Sequence, residues 1–136
     1  MRWVNLTLLA ALVATAAAAR SQERSSLLAD DTGRALFVQH CSACHGTSGR
    51  GDGPAADTFR TRPPDLTRLA SRNGGVFVAD RIHRVIDGRG VTAHATPEMP
   101  VWGEVFRRKP NLDEDAVKAR IEAIVRYLRS IQERSS

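Results

Sequence analysis

Five consecutive residues, Cys41-Ser42-Ala43-Cys44-His45, constrain this chain more than any other feature. Two thiols one helical turn apart are placed to add across the two vinyl groups of a haem and hold it by thioether bonds. A histidine directly after the second thiol then lies under the iron, where an imidazole nitrogen is a good axial ligand. C-x-x-C-H therefore reads as the attachment site of one c-type haem, covalent through Cys41 and Cys44 and ligated by His45.

The same spacing occurs in dithiol redox sites and in half of many zinc sites. A structural zinc site needs four ligands, and the chain has only 2 cysteines. His83 and His94 do not complete a Cys2His2 set, because their separation is far longer than the three to five residues such sites use. A dithiol oxidoreductase needs a strand-helix-strand context, and the sequence shows no such alternation.

Arg2 is followed by an apolar run from Trp3 to Ala19 that ends in small residues. Ala17 and Ala19 satisfy the small-x-small rule, so residues 1–19 are expected to be a signal peptide cleaved after Ala19. The alternative is an uncleaved anchor, for which the run is short and its end too weakly apolar. Export agrees with the haem motif, because c-type haem is attached outside the bacterial cytoplasm; a periplasmic location follows as an expectation. Residues 20–31 read as a flexible lead-in, and 32–132 as the single domain.

Aromatic residues make up only 5% of the chain, so the core is modest and a buried porphyrin would add a large apolar body to it. The formal charge of +5 loses Arg2 with the leader, and the remaining arginines are dispersed without an aromatic platform. That excludes a nucleic-acid-binding reading and leaves solubility and attraction to an acidic redox partner.

Gly33, Phe37, Cys41 and Cys44 recur at helical spacing, which puts them on one face of a helix ending near Gly46. Gly49, Gly51 and Gly53 are expected to form a mobile loop to Pro54. Its Arg50-Gly51-Asp52 tripeptide is a coincidence of three residues, and its glycines lack the Gly-Lys-Ser/Thr of a phosphate-binding loop. Pro63-Pro64 forces an extended segment, after which Asp65 caps a short helix through Leu69. Val78, Ile82, Val85 and Ile86 form another helix, stopped by Gly88. From Arg89 to Gly103 no periodicity is visible and a loop is expected. Asn111 and Glu114 form a capping-box-like pair before the apolar stripe Val117, Ile121, Ile124, Val125, Leu128 and Ile131. Three to five helices and no convincing strand make an all-α domain.

An iron that only moves electrons needs a sixth ligand. Met99, in the loop, is favoured over His83, His94, His40 and the leader residue Met1, because a distant loop can reach the opposite haem face and the mature chain has no other methionine. A thioether favours iron(II) and raises the reduction potential relative to two imidazoles. His94, in the same loop, is the competitor.

On these residues the chain resembles the class I monohaem cytochromes c of bacteria, over Thr32 to Ile131. Gly33, Phe37, Cys41, Cys44 and His45 are similar to the N-terminal helix of that family, and Ile124, Tyr127 and Leu128 to the helix that crosses it. The resemblance implies a cytochrome c fold, with Gly33 allowing close approach of the two helices. It also implies that the Pro64 carbonyl accepts the outer N–H of His45, with Pro63 as the neighbouring alternative, and that Leu66 lies against the haem. Met99-Pro100-Val101-Trp102-Gly103 is similar to the distal loop of bacterial members, with Trp102 near the haem or its propionates. Unlike lysine-rich mitochondrial members, this chain carries mostly arginine, so partner identity does not transfer.

The implied function is a one-electron carrier, not an enzyme, shuttling between partners such as a quinol-oxidising complex, a periplasmic dehydrogenase or a terminal oxidase. It would meet the membrane only through those partners unless the leader is retained. The alternatives are a haem subunit of such a dehydrogenase or oxidase, and a gas-binding or sensing haem protein with an open sixth site. A peroxidase needs an open iron and a distal acid-base pair, and Met99 stands in the way of His94 and Glu98 in that role.

Overall fold

The computed structural model of the protein describes residues 32–89, 99–110 and 112–133. The leader, His94 and Asn111 lie outside these residues. Five helical stretches are present among them: α1 (32–40), α2 (Ser42–His45), α3 (Ala79–Asp87), α4 (Trp102–Arg107) and α5 (Glu114–Ser130). Short 3₁₀ turns lie at Ala56–Thr58, Leu66–Arg68 and Ser71–Asn73, and no strand occurs among the described residues. The domain is all-α.

The apolar stripe of α5 organises the core. Val117, Ile121, Ile124, Val125 and Leu128 are all buried, each contributing about 1.5–3 kcal/mol by removal from water. The helix begins where the Asp113 side chain accepts the Ala116 N–H at 2.8 Å, with Glu114 and Asp115 in the first turn. The N-cap is Asp113, while the Asn111 of the expected capping pair lies outside the described residues.

α1 crosses α5 at Gly33. A β-carbon at Gly33 would run into the carbonyl of Ala123 and come within 3.1 Å of Tyr127 Cβ, so only glycine lets the backbones meet there. The close neighbour is Ala123 together with Tyr127, whereas Ile124 turns into the core. One turn on, Phe37 is fully buried and its ring packs on Tyr127 with centroids 5.2 Å apart.

α3 and α4 both pack on α5 and on each other. α3 ends at Gly88, as its sequence indicates. α4 replaces part of the expected loop: Phe106 is fully buried and pulls this six-residue stretch into helix despite its lack of a readable period. Its Arg107 reaches Asp87 at 3.1 Å, tying α4 to the end of α3.

Candidate functional site

The haem motif is the continuation of α1. The Cys41 N–H bonds the Phe37 carbonyl at 2.8 Å, and the His45 N–H bonds the Cys41 carbonyl at 2.9 Å, so the helical turn runs on through both cysteines. That turn puts Cys41 in the buried core and leaves Cys44 half-buried, both with free thiols. Burial, with the nearby Cys44 adding to it, pushes the Cys41 thiol up to about 12. A dithiol oxidoreductase needs the opposite shift, toward thiolate, so the geometry argues against that use of the pair.

His45 is buried, and its Nδ1 lies 3.3 Å from the carbonyl oxygen of Pro64. A carbonyl only accepts, which assigns the proton to Nδ1 and leaves the Nε2 lone pair for a metal. Burial lowers the imidazole pKa, against the opposing effect of the Pro64 hydrogen bond, and so keeps the ring neutral at pH 7 as a ligand must be.

The glycine loop positions this pair and is not mobile in the way its composition suggests. Gly49, Gly51 and Gly53 are buried, and the loop folds back on the motif: Gly51 N–H bonds the His45 carbonyl at 2.8 Å and Gly53 N–H the Cys44 carbonyl at 3.2 Å. Gly51 has φ +77° and a β-carbon there would strike the Pro63 carbonyl, so glycine serves close approach here. Arg62 Nε donates to the Gly51 carbonyl at 3.1 Å and ties the far side of the loop to the proline segment.

Beyond Pro64, the Asp65 carboxylate accepts the Thr67 N–H at 2.9 Å and the Thr67 hydroxyl at 2.6 Å, capping the turn Leu66–Arg68. Leu66, Met99 and Trp102 are half-buried and pack on the same apolar cluster that contains Cys41. The Trp102 ring lies against His40, with centroids 5.1 Å apart, and against Phe106 at 5.9 Å. His40 is therefore held among aromatic rings, its pKa lowered by burial and by Lys109 and Arg120. His83 lines a separate cleft between α3 and α5 with Arg84, Lys118 and Arg129.

The donor set fits a covalent c-type haem: two free thiols on one turn, a neutral imidazole with one nitrogen already satisfied, and apolar side chains gathered on the same cluster. The cytochrome c family model matches residues 31–132. The chain belongs to the cytochrome c family. Cytochrome c domains bind haem c covalently through cysteines, here Cys41 and Cys44, and the fold is that of the family. The family performs haem-based electron transfer with redox partners. Comparison with curated proteins and with solved structures gives no match.

Three features of the site left no local mark in the sequence. Phe106 sits in a stretch too short to show a period, and the ion pair of Asp87 with Arg107 joins α3 to α4. Gln132, just beyond α5, bonds the Leu66 carbonyl beside the Pro64-Asp65 segment.

Proposed function

We propose that this cytochrome c is a soluble periplasmic one-electron carrier with His45 and Met99 as axial ligands. The observation that carries the reading is the buried His45 with its Nδ1 on the Pro64 carbonyl at 3.3 Å. That contact fixes the ring and strengthens Nε2 as a donor, a role that a merely structural histidine does not need. Met99 supports the reading because it packs on the cluster that contains Cys41 and is the single methionine outside the leader.

When bound, the haem supplies an iron that alternates between two oxidation states. The chain's own contribution is to tether it through Cys41 and Cys44, to offer a neutral imidazole, to occupy the opposite face with a thioether and to keep water away with Leu66 and Trp102. A site filled on both faces takes no substrate, so the protein is a carrier and not an enzyme. Its basic surface suits brief contact with acidic partners, among them a quinol-oxidising complex, a periplasmic dehydrogenase or a terminal oxidase.

Carbon monoxide tests the proposal. Reduced wild-type protein should react little at neutral pH, and Met99→Ala should react readily. A wild type that binds carbon monoxide as fast as the variant would establish an open sixth site, that of a gas-binding protein. Gel filtration separates a free shuttle, eluting as a monomer, from a subunit co-eluting with a catalytic partner.

A further inference from the structure

Gln132 lies just beyond the last turn of α5, and its side-chain amide makes three hydrogen bonds. Nε2 donates to the Leu66 carbonyl at 2.8 Å and to the Leu128 carbonyl at 2.6 Å, while Oε1 accepts the Ala70 N–H at 2.9 Å. Both amide protons and the amide oxygen are thereby engaged. Next to it, the Glu133 N–H bonds the Thr67 carbonyl at 2.8 Å. Residues 132 and 133 are therefore fastened to the segment 66–70.

That segment adjoins the proximal side of the haem site. Leu66 is held at both of its peptide groups: its N–H donates to the Gly49 carbonyl at 2.6 Å, and its carbonyl accepts from Gln132. Two residues earlier stands the Pro64 carbonyl that faces His45. The contact to His45 Nδ1, at 3.3 Å, is at the long end of the hydrogen-bond range, where a few tenths of an ångström decide whether it is made. Only Asp65 separates Leu66 from the residue that supplies that carbonyl.

We propose that Gln132 is a positioning residue for the proximal ligand, holding Leu66 so that the Pro64 carbonyl stays on His45. This rests on the reading of His45 as an axial ligand. A hydrogen bond from the outer N–H makes the imidazole a more basic ligand, and a more basic ligand favours the oxidised iron. Loosening the staple weakens that bond and raises the reduction potential. A purely structural role for Gln132 would lower stability and leave the potential unchanged.

The test uses holoprotein from a host competent in haem attachment, with Gln132→Met, which removes the amide, and Gln132→Glu, which keeps an acceptor for Ala70 and loses both donors. Val117→Ala serves as a control destabilised elsewhere in the core. The readouts are a potentiometric titration and the proton NMR signal of His45 Nδ1–H with its exchange rate. Both Gln132 variants should show a higher potential and faster Nδ1–H exchange, whereas Val117→Ala melts earlier with neither change. Gln132 variants that match wild type in both readouts overturn the proposal, whether or not they melt earlier. If Gln132→Met fails to assemble, Gln132→Glu decides by the same readouts. A wild type without an iron-shifted His45 Nδ1 proton overturns the ligand reading itself, a result distinct from silent variants.

Discussion

Asp87 at the end of α3 and Arg107 on α4 are joined by a hydrogen-bonded ion pair of 3.1 Å, in which the carboxylate is only 7% exposed. Arg89 binds the other carboxylate oxygen and reaches Glu114 at 2.6 Å, so one buried acid and its two arginines link α3, α4 and the start of α5. Burial alone would raise the Asp87 carboxyl, but hydrogen bonds and charge from Arg89 and Arg107 outweigh it and hold the group below the usual carboxylate range.

A depressed folded-state pKa contributes stability that is present above the ordinary value of about 4 and is lost as pH falls through the lowered one. Asp87→Asn should cost about 2 kcal/mol at pH 7, the scale of hydrogen bonds to charged groups. The gap between wild type and variant should hold from pH 7 to about 4 and close below it. Thermal unfolding across this range checks the sign, and a gap that survives into strong acid would contradict it.

Gly33→Ala should destabilise by about 1–3 kcal/mol although alanine is the better helix former, because the added methyl meets the Ala123 carbonyl where α1 and α5 cross. Denaturant unfolding of the holoprotein measures this. Stability at or above wild type would mean the crossing has room that the geometry denies.

Asp113→Ala should cost about 1 kcal/mol through loss of the bond to the Ala116 N–H at the start of α5. Asp113→Asn, which keeps an accepting oxygen, should recover most of it. Equal losses in the two variants would show that the side-chain oxygen is not the cap.

Protein lacking haem should be poorly folded. Leu66, Met99 and Trp102 are only half-buried, so the described residues cover the apolar surface at the site only in part. A Cys41→Ala, Cys44→Ala double variant should lose much of its helical circular dichroism and melt without cooperativity. A near-native spectrum would argue that the polypeptide core suffices.

Periodicity carried the long elements. The stripe of α5 is readable because its buried positions recur every three or four residues, and α3 is readable up to Gly88 for the same reason. The turn bearing Cys41, Cys44 and His45 is equally legible, since chemistry and spacing coincide there. α4 escapes because six residues contain too few repeats, and its helix depends on Phe106 finding the core between distant elements. The glycine loop misleads because composition does not separate a glycine used for mobility from one that admits a close backbone approach, as Gly51 does beside Pro63. Two of the three bonds of Gln132 span more than sixty residues and have no local signature.

The oxidised absorption spectrum of the purified mature protein bears most directly on the His45/Met99 haem. A weak far-red sulfur-to-iron band, present in wild type and absent from Met99→Ala, is the expected result. An oxidised wild type without that band, or a band that persists in Met99→Ala, would contradict the assignment.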